Sequence, residues 1–404
     1  MNDVRMKGFK ERMSFTYALD ALSSLVGRTG PEVVGIDDAC GRALFEDVHA
    51  PRDVPCFDRS AMDGYAVVDS DTYGASGYGP VALVIAGETL AGGRSMSMKK
   101  GEAVRIMTGA KMPRGANAVV MAEHAEEEDG RVLVQRPVSA GENVSFAGED
   151  IKKGSLVLTS GRVLMPHDAG VLASLGQSFV KVYRKPAVGI IVTGNEFAVV
   201  GGACVDGKIF DANSHILLGL VRQSGGSVLH STVVADDHEL IRKEILTCDA
   251  DIVVVTGGTA CGKEDHVPLV VSEIGELLVH GVAMRPAGPM GVGRVGKKAV
   301  FLLPGNPLAV CVAFDFFVKK AIYLMMGVDS RPVMVRGVLT RKVASAAGRT
   351  DIFRVMYDEG KVEPIRAGGG AILSSMVRAN GYLVVPENME GYEKGECVDV
   401  RLFL

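Results

Sequence analysis

Asp251-Ile-Val-Val-Val-Thr-Gly-Gly-Thr-Ala-Cys-Gly-Lys-Glu-Asp265-His266 sets four apolar β-formers directly ahead of a glycine turn, with acidic residues close behind. A continuous apolar run that ends in glycines reads as a strand buried on both faces of a parallel sheet. Open α/β sheets bind their ligands beyond the carboxyl ends of such strands. Thr256, Gly257, Gly258, Thr259 and Gly262 offer bare backbone N–H groups and hydroxyls, a set that suits phosphate. A carboxylate beside an anion site is costly unless it holds a metal or works on a reacting group, and this singles out Asp265. A tight turn carrying a solvated Asp is the plainer reading of the same letters.

Other strand ends carry similar chemistry. The run 187–193 closes in Thr193-Gly-Asn-Glu196, and the run 299–303 in Pro304-Gly305-Asn306-Pro307. Right-handed βαβ connections bring such ends to one edge of a sheet. One pocket is therefore expected to gather Thr193, Glu196, the 256–265 loop and Asn306. Turns also favour Gly, Asn and Pro for their own sake. Asp211-Ala-Asn213-Ser precedes a helical stretch and reads either as a helix N-cap box or as a ligand contact. Asp236-Asp237, after the run 228–234, offers the same two readings. Arg285-Pro-Ala-Gly-Pro289 sets a cation in a Pro/Gly loop, either to grip an anion or as an exposed connection. Arg59-Ser-Ala-Met-Asp63-Gly-Tyr-Ala66 and Arg105-Ile-Met-Thr108-Gly-Ala110 are two further polar turns. Asp63 and Thr108 have no obvious packing role there. Histidines are few and unclustered, so neither a His-based metal site nor a Ser-His-Asp triad is indicated.

The elements that must position these residues follow from periodicity. Strands are expected at 187–193, 228–234, 251–256 and 299–303, with helices at about 213–225, 237–248, 267–275 and 307–325. This alternation means βαβ units and a parallel sheet. An amphipathic helix is expected from Ser14 to Leu25. Residues 51–146 show short apolar runs punctuated by proline, a β-rich module with a charged hairpin tip at Glu126–Gly130. From about 329 short strands return, as a small β-barrel or sandwich.

The chain has 404 residues, 47% hydrophobic and 23% charged, which means two to four soluble globular domains. A net charge of -4 gives no footprint for nucleic acid. Seven cysteines without any C-x-x-C pair suggest neither a zinc site nor a disulfide framework. The polar first ten residues and the lack of a long apolar run argue against a signal peptide or a membrane span, so a cytoplasmic location is expected.

Taken in order, several segments resemble one family, the MoeA-type molybdopterin molybdotransferases related to the E domain of gephyrin. They are Ser60-Ala-Met-Asp-Gly-Tyr-Ala66, Arg105-Ile-Met-Thr-Gly-Ala110, Gly148-Glu-Asp-Ile151, Ala173-Ser-Leu-Gly176, Thr193-Gly-Asn-Glu196, Asp211-Ala-Asn213, Thr256-Gly-Gly258 through Asp265, and Leu303-Pro-Gly-Asn-Pro307. The resemblance implies an α/β plus β multidomain fold. An α/β molybdopterin-binding domain would comprise 1–27 and 184–328, a small linking domain 28–51 and 147–183, a β-rich inserted domain 52–146, and a C-terminal β-barrel 329–404. It also implies a homodimer.

The implied reaction inserts molybdate, or the near-isosteric tungstate, into adenylylated molybdopterin with loss of AMP and a need for Mg²⁺. The molybdopterin adenylyltransferase is then an expected partner. By position, Asp265, Glu196 and Asp236 match catalytic carboxylates, with Asp265 and Glu196 as metal ligands. Thr193, Asp211, Asn213, Thr256, Gly257, Gly258, Thr259, Gly262, Arg285, Gly305 and Asn306 match substrate-binding positions. Asp63, Thr108 and Asp150 match positions that reach the partner subunit's cleft. The chain departs from the family pattern at Asn195, where Asp is common, and at Pro286-Ala-Gly-Pro289, which lacks the usual lysine. It departs again at Gly368-Gly-Gly370, in place of Gly-Ser-Gly. A non-catalytic scaffold on the same fold is the alternative, disfavoured because no extra domain or long linker is evident.

Overall fold

The computed structural model describes residues 12–94, 96–203, 206–260, 265–329, 331–365 and 373–403. Cys261, Gly262 and the 368–370 glycines lie outside these described residues. A six-stranded sheet carries the candidate site. Its strands, in chain order, are β1 (Ala187–Thr193), β2 (Ser227–Val234), β3 (Ile252–Thr256), β4 (Glu276–His280), β5 (Gly291–Val295) and β6 (Lys298–Leu303). Their spatial order is β2-β1-β3-β6-β5-β4.

Alternate side chains of the central strands feed two cores. Ile252, Val254, Phe301 and Leu303 face one layer, while Val253, Val255, Val300 and Leu302 face the other. The first layer is closed by the helices Asn213–Gln223, Pro307–Ala313 and Lys319–Met325, and by the N-terminal helix Phe15–Leu25. The second is closed by His238–Thr247 and Val267–Ile274. Burial on both faces explains the unbroken Val/Ile runs. Each such side chain contributes about 1.5–3 kcal/mol.

Strands β2, β1, β3 and β6 are parallel, with Thr193 beside Val234, Val192 beside Thr256 and Thr256 beside Leu303. Their carboxyl ends therefore lie side by side. β5 runs antiparallel to β6, and β4 antiparallel to β5. β4 thus points the same way as the parallel strands, and the chain after His280 leaves at the same edge. Strands β4 and β5 are absent from the periodicity reading.

Four further cores among the described residues surround other sheets, two of them in one module. Residues 39–50 and 158–182 share one core around the helix Pro166–Ser174. A mixed six-stranded sheet spans 64–134 and includes the hairpin Ala125–Glu128/Arg131–Val134, whose tip is charged as expected. The C-terminal strands Met334–Leu339, Thr350–Asp358, Lys361–Pro364, Gly381–Val385 and Cys397–Leu402 close on themselves through the pairing of Asp351 with Val385, a barrel and not a sandwich. No helix among the described residues is long and apolar enough to cross a membrane.

Candidate active site

Asn213 ties two strand ends together. Its Nδ2 donates to Gly305 O at 2.8 Å and to Thr256 Oγ1 at 3.3 Å. Thr256 Oγ1 donates in turn to Pro304 O at 3.0 Å, and Thr259 Oγ1 to Leu303 O at 3.0 Å. Helix capping consumes some of the predicted polar residues. Asp211 Oδ1 accepts from Ser214 N at 3.1 Å, Asn306 Oδ1 from Leu308 N at 3.0 Å, and Asp237 Oδ1 from Leu240 N at 2.9 Å. Capping keeps Asp211 and Asn306 at the sheet edge, because these helices start there. Asp237 caps its helix, which leaves the carboxylate of Asp236 to another use.

Three buried oxygens at this edge, Thr193 Oγ1, Asn213 Oδ1 and Asp236 Oδ1, have no hydrogen-bond partner among the described residues. An orphaned buried polar group costs about 1–3 kcal/mol, so three together point to a ligand. They flank the glycine turn. A Cβ on Gly257 would lie 2.2 Å from Thr193 O and 2.8 Å from its Oγ1. One on Gly258 would lie 3.1 Å from Thr193 Oγ1 and 3.5 Å from Asp236 Oδ1. Both glycines have positive φ, +93° and +55°. Only bare backbone fits the space and the conformation.

Glu196 folds back over the end of β1, where its Oε2 would lie 2.5 Å from a Cβ on Gly194. Asn195 is the hinge of this corner. Its Oδ1 accepts from Asp236 N at 3.3 Å and its carbonyl from Lys208 Nζ at 2.5 Å. Sequence reading missed Lys208, since nothing local in Gly207-Lys-Ile209 marks it. Asp265 sits near His280. Burial pulls the imidazole below its usual pKa, while its contact with Thr259 O and the Asp265 charge oppose the shift. His280 approaches Thr259 O at 3.1 Å.

Arg285 lies in the excursion between β4 and β5, closed by Val282 N to Gly288 O at 2.8 Å. Residues Met284 and Arg285 pair with Thr350 and Asp351 of the barrel, so this excursion is where the barrel docks. Arg285 is exposed. Arg354 of the barrel is the second residue the sequence did not reveal. Burial, and then the charge of Arg285, hold its guanidinium below the usual range. Its Nε donates to Ser375 Oγ at 3.2 Å. Two arginines close enough to repel favour an anion between them.

Residues 13–176 match the MoeA N-terminal region (domain I and II), 189–323 the "Probable molybdopterin binding domain", and 336–403 the MoeA C-terminal region (domain IV). The chain belongs to the MoeA family of molybdopterin molybdenumtransferases. It is 41% identical over 379 residues to a protein of Methanocaldococcus jannaschii named "Putative molybdopterin biosynthesis protein", covering 91% of each chain. It is 34% identical to the molybdopterin molybdenumtransferase of Bacillus subtilis, covering 92% of this chain and 89% of that one. The crystal structure of the molybdopterin biosynthesis MoeA protein from Pyrococcus horikoshii superposes with a TM-score of 0.86 at 35% identity, over 97% of this chain and all of that one.

Against this MoeA frame, three predicted positions stand apart from the sheet edge. Asp63 Oδ1 accepts from Thr108 N at 2.7 Å and from Thr108 Oγ1 at 2.9 Å, and these two bonds hold its carboxyl below the usual range. Both residues are exposed in the mixed-sheet module. Asp150, also exposed, donates its N–H to Val54 O at 3.1 Å. No hydrogen bond among the described residues carries any of the three to the α/β edge. No group of three His, Cys, Asp or Glu side chains converges as a metal cage among the described residues. The donors at the edge are oxygens, and three of them are orphaned, on Thr193, Asn213 and Asp236. That donor set suits a hard cation such as Mg²⁺.

Proposed function

We propose that this chain inserts molybdate, or tungstate, into adenylylated molybdopterin with release of AMP. The observation that carries this reading is the set of orphaned oxygens of Thr193, Asn213 and Asp236 around the bare Gly257-Gly258 turn. Backbone N–H groups from Gly257 to Thr259 would receive the pyrophosphate, where no side chain stands in the way. Asn213 would hold the loops of β3 and β6 at fixed spacing around it. Asp265 and Glu196 would hold Mg²⁺, with Asp236 facing the bond that breaks. Bound Mg²⁺ would neutralise charge on the pyrophosphate as AMP leaves. Arg285 and Arg354 would grip the oxyanion from the docking seam, where Arg285 alone carries the charge of a loop without its customary lysine.

A homodimer belongs to the same reading. Asp63, Thr108 and Asp150 have no described route to their own α/β edge, so they would complete the cleft of a second subunit. Sedimentation showing only monomer at micromolar protein would sink this part. The adenylyltransferase that makes the substrate is then a natural partner, and the cytoplasm the natural place. Five described cysteines are free thiols, as a reducing compartment allows.

The decisive experiment compares AMP release from adenylylated molybdopterin with molybdate and with tungstate, each with and without Mg²⁺. Release that depends on the oxyanion supports the reading. Tight binding of the nucleotide without any release would instead leave a molybdopterin-binding scaffold.

A further inference from the structure

Away from the sheet edge, a cavity of about 500 Å³ opens between the barrel and the far end of the helical segment that begins at Pro307. Its walls are largely apolar, with Leu19, Leu220, Phe316, Leu324, Met376 and Phe403 among them. Its polar lining is basic on balance. Lys319, Lys320 and Arg401 face Asp315 and Asp329, three cations against two carboxylates, one positive charge in excess.

The carboxylate of Asp315 is already engaged, since its Oδ2 accepts from Tyr382 OH at 2.8 Å. Arg401 donates to the backbone oxygen of Asp315 at 3.0 Å and stacks on Phe316, its guanidinium carbon 4.2 Å from the ring centroid. Among the described residues, most of its five N–H donors have no protein acceptor. Lys319 stands 5.8 Å from the centroid of Tyr323. Burial lowers the pKa of both Lys319 and Arg401, so each sits where its charge lacks full hydration. Burial also raises that of Asp315, against its Tyr382 hydrogen bond and the charges of Lys319 and Arg401. Partly desolvated cations with a spare charge call for an anion, and apolar walls call for an apolar body on it.

We propose that this cavity is a second ligand site, which takes a small monocarboxylate with an aliphatic or aromatic body. The carboxylate meets Lys319 and the free N–H groups of Arg401, and the body lies along Leu19, Leu324 and Phe403. This site is independent of the chemistry at the sheet edge.

Sodium octanoate and neutral octanol are the probes, titrated calorimetrically into the full-length protein, with the thermal midpoint as a second readout. Octanoate is expected to bind and raise the midpoint, and octanol, with the same body but no charge, to bind about tenfold more weakly or not at all. Lys319→Met should weaken octanoate about tenfold. Leu19→Trp, which fills the cavity and leaves the cations in place, should abolish binding. The proposal is overturned by absence of binding at about 10 mM octanoate, a concentration reached by even weak ligands. Equal binding of octanol, or full octanoate affinity in Leu19→Trp, overturns it as well. If Lys319→Met fails to fold, the Leu19→Trp and octanol arms still decide.

Discussion

The backbone N–H of Asp236 donates to the side-chain oxygen of Asn195 at 3.3 Å, which fastens the chain leaving β2 to the chain leaving β1. The Asp236 carboxylate, with its orphaned Oδ1, is thereby positioned by its neighbour. Asn195→Ala should lower kcat for AMP release about tenfold with little change in the thermal midpoint. Asn195→Asp keeps the acceptor and adds a charge, so it should retain more of kcat but need more molybdate. Steady-state rates across molybdate concentrations separate the two. Equal kinetics in all three proteins would make the tie incidental.

Asp265→Asn keeps shape and removes charge beside the phosphate loop. The variant should fold and still bind adenylylated molybdopterin, while AMP release drops at least about a hundredfold, the scale of a positioned catalytic group. Release at the parent rate would move the assignment to Glu196 or Asp236.

Arg285→Ala and Arg354→Ala should each raise the half-saturating molybdate concentration. Because Arg354 feels the charge of Arg285, the double variant should cost less than the two single effects combined. Initial-rate titrations of the four proteins measure this. An unchanged half-saturation in Arg285→Ala would leave that residue as an exposed strand end.

Gly257→Ala forces a methyl group to 2.2 Å from Thr193 O at a φ of +93°. The strain should cost about 1–3 kcal/mol in urea unfolding and displace the phosphate loop, so activity should fall by more than the unfolded fraction explains. Parent-like activity together with parent-like stability would contradict the cradle.

Asp251 offers a pH test at the opposite end of β3. Burial alone would raise its pKa, but Arg184, bonded at 2.9 Å through both guanidinium nitrogens, and the N–H of Ala187 at 2.7 Å hold it below the ordinary value. A depressed folded pKa stabilises above the unfolded value of about 3.9 and is lost as pH falls through the folded one. Asp251→Asn should therefore cost about 1 kcal/mol at pH 7, a figure already discounted for solvent contact, and progressively less as pH falls below the unfolded value. Urea midpoints at pH 7 and below that value decide it, and a pH-independent difference would remove the ionic explanation.

Strands β1, β3 and β6 were legible because burial on both faces demands unbroken apolar runs, and the largely exposed edge strand β2 was legible from its place in the βαβ alternation. β4 and β5 were not. Glu276–His280 holds only three apolar residues between polar ends, and the glycines of β5 read as turns. The polar positions at the strand ends were legible as a group, since one topology rule sends them to one edge. Their division of labour was not. Of Asp236 and Asp237, only backbone geometry shows that the second caps a helix and the first does not. Lys208 could not be found by spacing, because it reaches the carbonyl of Asn195 only through tertiary structure, and Arg354 comes near Arg285 in the same way.

The N-terminal helix Phe15–Leu25 contributes Ala18, Leu22 and Leu25 to the core that also holds Ala321 and Ile322. Just after it, the hydroxyl of Thr29 donates to Met325 O, 296 residues further along the chain. On a ribosome adding about 5–20 residues per second, that helix waits roughly 15–60 s for its partners to be made. Through that interval its apolar stripe is uncovered and open to a nascent-chain chaperone.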